Sequence, residues 1–174
     1  MAEVAEPVRD ALRGCGDGKL PWPLVLTGPA GTGKTCAALA LADYVRGPSI
    51  LYPASEMADR LAAAKCGRLV EWTFARGEDT RVDPLLLWRE WCEYDLCIID
   101  DLGQRANVTD TGYEAIKAAL DAREGRPVIV TTNTDLDGIA RSYDDRIASR
   151  LASGTAVELE DGDRRMNAAE ETTP

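Results

Sequence analysis

Histidine is absent from this sequence of 174 residues, and its five cysteines form no C-x-x-C pair. Both features argue against a zinc site, because histidine and paired cysteine thiolates are the usual zinc ligands. We interpret the cysteines as free thiols of a reducing compartment. The sequence also lacks an apolar run long enough to span a membrane, and its N-terminus lacks a signal-peptide pattern. We therefore expect a cytoplasmic protein that has no membrane partner.

Lysine is scarce as well, since only four of the twenty basic residues are Lys, and thirty acidic residues set the net charge at −10. A chain that wraps nucleic acid by bulk attraction needs clustered Lys and Arg, so this balance argues against that mode, although a local basic patch stays open. The length and the 45% hydrophobic content are typical of one soluble domain. We expect a short N-terminal segment over residues 1–20, one domain over residues 21–160 and a polar, flexible tail over residues 161–174.

A phosphate-binding loop is the strongest motif in the sequence. Residues 28–35, GPAGTGKT, fit the pattern G-x-x-x-x-G-K-[ST], with an apolar strand-like run before them and an Ala/Leu-rich helical pattern over 36–45 after them. Glycines in such a loop let backbone N–H groups converge on a phosphate. Lys34 would reach the β- and γ-phosphates of ATP, and the Thr35 hydroxyl would ligate Mg²⁺. The predicted nucleotide contacts are Gly28, Pro29, Ala30, Gly31, Thr32, Gly33, Lys34, Thr35 and Cys36, the last with a thiol that we expect to be buried.

A pair of carboxylates follows a second apolar run. Residues 95–101, DLCIIDD, predict a strand buried on both faces, as in a parallel sheet. Open α/β sheets place their chemistry at the carboxyl ends of such strands. We expect Asp100 to hold Mg²⁺, largely through water, and Asp101 to orient or deprotonate a water that attacks the γ-phosphate.

A polar tip ends a third apolar run, over residues 127–130, and consists of Thr131, Thr132 and Asn133. The Asn133 amide can donate to the γ-phosphate or position the water, although a structural turn explains it equally well. Further along, Arg146 and Arg150 are four residues apart and therefore share one face of a predicted helix.

The remaining elements complete an α/β pattern. Strands are predicted over 49–54 and 155–159, and helices over 4–13, 56–65 with Ser55 as N-cap, 85–92, 110–124 and 135–143. Glycines make residues 14–18 a predicted flexible turn. Residues 66–84 are interpreted as irregular, either a surface that binds a partner or an excursion with little order. Five strands with intervening helices predict a parallel, doubly wound sheet.

Taken in order, these motifs resemble the AAA+ ATPase core of the DnaC-type bacterial and phage helicase loaders and of the related IstB-type transposition ATPases. The resemblance covers roughly residues 24–165 and rests on the phosphate loop, Asp100 to Gly103, the Thr-Thr-Asn tip and residues 145–151, followed by the strand 156–159 and Asp163-Arg164-Arg165. It implies a P-loop NTPase fold: a five-stranded AAA+ core without a C-terminal lid domain.

The resemblance also implies roles for the site residues. Lys34 and Thr35 match the phosphate-loop residues, Asp100 and Asp101 the Mg²⁺ and water carboxylates, and Asn133 the sensor. Arg150 matches the arginine finger that is given to a neighbouring subunit, and Arg146 matches its companion. The implied partners are a hexameric replicative helicase, further copies of this chain in a ring or spiral, and single-stranded DNA, for which the net charge is unfavourable.

The leading hypothesis is therefore an assembly-dependent ATPase that delivers or remodels a replicative helicase in DNA replication. A transposition regulator whose ATP state controls a DNA-bound filament is an alternative within the same family. A nucleotide-gated adaptor with little turnover is an alternative of another class. A small-molecule kinase is disfavoured, because kinases of this size need a mobile Arg-rich lid rather than tandem Asp residues and a Thr-Thr-Asn tip.

Overall fold

A computed structural model describes residues 6–103 and 108–159, which form seven helices and seven strands. The strands are β1 Leu24–Thr27, β2 Ser49–Pro53, β3 Val70–Thr73, β4 Glu78–Arg81, β5 Leu96–Leu102, β6 Val128–Thr132 and β7 Thr155–Glu158. The helices are α1 Glu6–Gly16, α2 Lys34–Ala42, α3 Ala54–Lys65, α4 Pro84–Glu93, α5 Asp110–Ala122, α6 Leu136–Ser142 and α7 Asp145–Ala152. Within these ranges, no helix combines the length and the apolar character needed to cross a lipid bilayer.

A five-stranded parallel sheet in the order β2-β5-β6-β1-β7 lies between two layers of helices. Side chains of a strand point alternately to its two faces, so a strand that is apolar throughout can contribute to two cores. Leu24 and Leu26 pack on one face with residues of α1 and α2, whereas Val25 packs on the other with residues of α3, α4, α5, α6 and α7. The predicted α/β class and five-stranded parallel sheet are confirmed.

The order of the strands brings the predicted site together. β6 pairs with β5 on one side and with β1 on the other, and all three are parallel. Their carboxyl ends therefore meet at one edge of the sheet, where the phosphate loop, the two Asp residues and the polar tip all follow their strands.

Arg123 ties the end of α5 to the opposite edge of the sheet. It is almost fully buried, and its guanidinium donates to the backbone carbonyls of Tyr94 at 2.7 Å, Asp95 at 3.2 Å and Pro127 at 2.7 Å. These carbonyls lie just before β5 and β6, so one side chain holds the starts of both strands.

The largest correction concerns residues 66–84, which are not irregular, because β3 and β4 form an antiparallel hairpin within them. The buried carboxylate of Glu90, on α4, accepts hydrogen bonds from the amides of Phe74 at 2.5 Å and Ala75 at 3.0 Å in the hairpin turn. The rings of Trp72, Phe74 and Tyr94 meet edge to face, with centroids 4.9 and 5.2 Å apart. Contacts with Glu90 of α4 and with Tyr94 thus stabilise a hairpin whose own sequence gives only a weak strand pattern.

Two helix boundaries also differ from prediction. The predicted turn over 14–18 is wrong for its first three residues, because α1 continues to Gly16 and buries Cys15 against the sheet with Val8 and Ala11. Ser55 is not an N-cap, since α3 begins at Ala54 and Pro53 precedes it without a side-chain cap. The predicted tail over 161–174 and the motif Asp163-Arg164-Arg165 lie outside the described residues.

Candidate nucleotide site

The phosphate loop joins the end of β1 to the start of α2. Gly28, Gly31 and Gly33 have positive φ angles of 137°, 86° and 86°, conformations that side chains disfavour. A Cβ on Gly28 would also lie 2.3 Å from the carbonyl oxygen of Leu159, just after β7. The three glycines are therefore needed for the turn of the loop, and Gly28 is needed also for its close packing beside β7.

Lys34, the first residue of α2, is 5% exposed and folds its ammonium into the loop. Its Nζ donates to the carbonyl of Gly28 at 2.8 Å and to that of Pro29 at 2.7 Å. The Thr32 hydroxyl donates to the same Pro29 carbonyl at 3.0 Å. A positive charge is thus fixed at the loop, beside the backbone that is predicted to receive the phosphates.

Asp100 and Thr35, the two predicted metal ligands, are in direct contact. The Thr35 hydroxyl lies 2.9 Å from Oδ1 and 3.1 Å from Oδ2 of Asp100, which is 7% exposed at the end of β5. Carboxylate and hydroxyl oxygens are hard donors that suit Mg²⁺. A buried carboxylate that accepts hydrogen bonds from the hydroxyls of Thr35 and Thr131 fits a site for this cation.

Asp101 occupies a β-bulge. Ile99 and Leu102 of β5 pair with Val130 and Thr132 of β6, so that Asp100 and Asp101 together oppose the single residue Thr131. Asp101 has a φ of 57°, in the left-handed region that a non-glycine residue rarely occupies. The bulge interrupts the alternation of side chains along β5 at the two predicted catalytic carboxylates, and strain of this kind clusters at functional sites.

Thr131 connects the two carboxylate residues and was missed as a site residue in the sequence. Its hydroxyl donates to Asp100 Oδ1 at 2.5 Å and accepts from the backbone amide of Asp101 at 2.9 Å. The side chain is 0% exposed. A hydroxyl buried at the end of an apolar strand must find a hydrogen-bonding partner, but the sequence does not show which partner it finds.

Asn133 follows Thr132 at the end of β6 and is exposed. Since β6 lies between β5 and β1, Asn133 stands at the edge of the sheet that carries Asp101 and the phosphate loop. Cys36, on the first turn of α2, is exposed, so the expectation of a buried thiol is wrong.

Arg146 and Arg150 lie on α7, beside α5 and not in the chain's own phosphate loop. Arg150 Nη2 is 2.5 Å from Asp121 Oδ1, and its Nη1 is 4.0 Å from Glu124 Oε2. With Lys117, Arg146 and Arg150 line a groove of about 480 Å³ between the two helices.

The start of α7 is also held by α5. Asp144 caps α7 by accepting a hydrogen bond from the Ile147 amide at 2.9 Å. It also accepts a hydrogen bond from the Tyr113 hydroxyl at 2.7 Å. The hydrogen bond from the Ile147 amide holds the pKa of Asp144 below its usual range. The hydrogen bond to Asp144 raises the pKa of Tyr113, because ionisation would place two negative charges together. The helix that carries both arginines is therefore fixed on α5 near each of its ends.

Comparison with known proteins gives a fold. No protein-family model matches the sequence, and no curated protein does so either. Among solved structures, AMPPCP-bound DnaA from Aquifex aeolicus is 21% identical, with a TM-score of 0.69 over 95% of this chain and 49% of that chain. The DnaC helicase loader is 17% identical, with a TM-score of 0.64 over 90% of this chain and 86% of that chain. DnaI is 19% identical, with a TM-score of 0.64 over 92% of this chain and 83% of that chain.

The chain thus spans about half the length of the DnaA structure and more than four fifths of the DnaC and DnaI structures. These likenesses confirm the predicted fold, an α/β core built on a five-stranded parallel sheet.

Proposed function

We propose that this chain binds Mg²⁺–ATP and hydrolyses it in an active site shared between two copies, in a helicase-loading step of DNA replication. The observation that carries the proposal is the contact of Thr35, Asp100 and Thr131, which come from α2, β5 and β6. It joins the phosphate loop to the strand with two carboxylates. This is the chemistry that phosphoryl transfer to water requires.

We assign each residue a role that its position supports. The loop amides and Lys34 bind the phosphates, and Thr35 with Asp100 would hold Mg²⁺, which would supply positive charge to the phosphates. Asp101 accepts a proton from the attacking water or orients it, and Asn133 donates to the γ-phosphate or to that water. Catalysis then rests on positioning and charge rather than on a covalent intermediate.

Removal of the loop cation tests nucleotide binding. Lys34→Ala should abolish tight binding of ATP in calorimetry with Mg²⁺, because it removes the buried cation from the loop. The matched control is Lys19→Ala, which removes an exposed lysine paired with Asp17. Unchanged affinity of the Lys34 variant would overturn the assignment of the phosphate loop.

The roles of Asp100 and Asp101 can be distinguished, because their Asn variants should lose different properties. Asp101→Asn should bind ATP and slow its hydrolysis by roughly 10²- to 10⁴-fold, the usual contribution of a general base. Asp100→Asn should in addition weaken the dependence of binding on Mg²⁺. If Asp101→Asn hydrolyses ATP at the parental rate, another residue must orient or deprotonate the attacking water.

The shared site is supported by Arg150, which is paired with α5 and not with the chain's own phosphate loop. An arginine finger contributes roughly 10³- to 10⁵-fold to turnover, so turnover per chain should rise steeply with protein concentration. Arg150→Ala and Lys34→Ala should each be inactive alone. A mixture should regain activity, because some interfaces pair an intact loop with an intact Arg150. A co-assembled mixture without activity would refute the shared site.

The role in helicase loading is supported by the likeness to DnaC and DnaI, of whose chains this one covers 86% and 83%. Native mass spectrometry with a hexameric replicative helicase and a non-hydrolysable ATP analogue tests it. We expect a complex that forms with the analogue and is lost with Lys34→Ala. Nucleotide-dependent binding of transposase–DNA complexes instead would favour the transposition alternative, and a stable complex without turnover would favour the adaptor.

A further inference from the structure

A positively lined groove runs between α5 and α7 on a chain whose net charge is −10. Lys117 comes from α5, and Arg146 and Arg150 come from α7. The other charged side chain in the lining is Asp145, and Ile147 and Ser149 complete it. The lining therefore holds three cations and one carboxylate, and two further carboxylates, Asp121 and Glu124, stand beside Arg150. Clustered cations that can exchange a carboxylate for a stronger acceptor suit a phosphate group.

Two of the three cations share one counter-ion. Lys117 Nζ donates to Asp121 Oδ2 at 2.7 Å, and Arg150 Nη2 lies 2.5 Å from Asp121 Oδ1. Lys117 and Arg150 are therefore held side by side, one on each oxygen of the same carboxylate. Their side chains are 39% and 36% exposed, so both can be approached from solvent.

We infer that Lys117 acts together with Arg150 as a second cation toward the phosphates of a nucleotide bound to a second copy of this chain. This inference rests on the proposed shared site and extends it to a residue of α5. Asp121 is a positioning residue in this arrangement, because it holds both cations near each other before assembly.

Electrostatics favours the movement of Lys117 and Arg150 from Asp121 to the phosphates of the second copy's nucleotide when the copies assemble. A nucleotide triphosphate carries several negative charges and strong acceptor oxygens, whereas Asp121 has a single charge that is partly exposed to water. Both ion pairs are partly exposed, so water recovers part of the interaction that Asp121 loses when the two cations leave it. A guanidinium and an ammonium that reach a partly dehydrated phosphate at an interface gain more than they lose.

A complementation test locates the action of Lys117. Lys117→Gln alone should lower turnover of the assembled protein roughly tenfold or more, by loss of one charge-assisted contact. Mixed with Lys34→Ala it should regain activity, since the Lys34 variant supplies an intact groove to the intact loop. Mixed with Arg150→Ala it should not, because every groove then lacks one of the two cations.

Rescue in the mixture with Arg150→Ala would show that Lys117 serves its own phosphate loop and would overturn the inference. The proposed function fails differently, by absence of rescue between Arg150→Ala and Lys34→Ala. Lys65→Gln is the matched control, because Lys65 of α3 is 42% exposed and pairs with Glu114 of α5, outside the groove. It should keep parental activity.

A measurement of self-association, without ATP hydrolysis, distinguishes two roles of Lys117: direct contact with the phosphates and neutralisation of Asp121. With a non-hydrolysable ATP analogue, self-association measured by sedimentation should be roughly tenfold weaker for Lys117→Gln and close to parental for Lys117→Arg. Asp121→Asn combined with Lys117→Gln should remain weak. If that double variant associates like the parent, Lys117 only neutralises Asp121 and the inference is wrong.

Discussion

The hydroxyl of Thr131 gives the sharpest test of how the candidate site is held. Thr131→Val keeps the shape of the side chain and removes a donor to Asp100 at 2.5 Å and an acceptor from the Asp101 amide at 2.9 Å. A hydrogen bond to a charged group contributes about 1.5–3 kcal/mol, and a buried amide left without a partner costs about 1–3 kcal/mol. Because Asp101 is only partly buried, water can recover some of this loss. We expect the free energy of unfolding to fall by about 2–4 kcal/mol.

Thr132→Val is the matched control one residue away. Thr132 is also buried, and its hydroxyl donates to the Leu102 carbonyl at 2.8 Å and accepts from the Thr134 amide at 3.0 Å. Both contacts are with neutral groups, so its variant should lose less stability, about 1–2 kcal/mol. Urea unfolding followed by fluorescence of the four tryptophans measures both.

Hydrolysis separates the two variants further. Thr131→Val frees the bulge that carries both carboxylates, so assembled turnover should fall roughly 10- to 100-fold, less than the full contribution of a general base. Thr132→Val should stay within about threefold of the parent, by the same scale. Equal turnover of the two valine variants would refute a site role for Thr131 and leave it an ordinary residue of β6.

Three further predictions concern other parts of the chain. Arg123→Met should lower the free energy of unfolding by about 3–5 kcal/mol, because three backbone carbonyls lose a charged donor. Arg126 is an exposed neighbour with one contact at 3.3 Å, so Arg126→Met should lower it by less than about 1 kcal/mol. Similar midpoints of urea unfolding for the two variants would contradict this prediction. Glu90→Gln should speed amide exchange in the hairpin turn without changing ATP hydrolysis, and unchanged exchange would show that the buried carboxylate does not hold the turn. Burial raises the pKa of the Cys97 thiol to about 12, so this thiol is protonated at pH 8. It should react with a thiol reagent only after unfolding, whereas the exposed Cys36 should react at once. Rapid labelling of both cysteines in the folded chain would refute the burial of Cys97.

The parts of the structure that were predictable share a physical cause. Phosphate binding demands glycines and a cation at fixed spacing, so residues 28–35 indicated the loop. A parallel strand buried on both faces must be apolar throughout, so residues 96–99 indicated β5 and its place inside the sheet. In both cases the requirement acts on neighbours in the sequence.

The parts that were missed depend on contacts between distant residues. The hairpin of β3 and β4 is held by Glu90 of α4, and nothing within residues 66–84 indicates that partner. Thr131 is a residue that strands favour in any case, so its contact with Asp100 could not be distinguished from ordinary β-propensity. The pairing of Arg150 with Asp121 depends on how α5 and α7 pack, which the spacing of arginines on one helix does not determine.

The pairing of β1 has a consequence for how the protein is made. Its neighbours β6 and β7 follow it roughly 100 and 130 residues later, which is the kind of non-local pairing that slows folding. Until β6 is synthesised, Thr131 cannot join Asp100 to the phosphate loop, so a nascent chain has the loop sequence without the assembled site. A nucleotide that binds only the completed site stabilises only the fully folded chain. Under the proposed function, ATP in the cell would therefore favour completion of folding and would not be captured by unfinished chains.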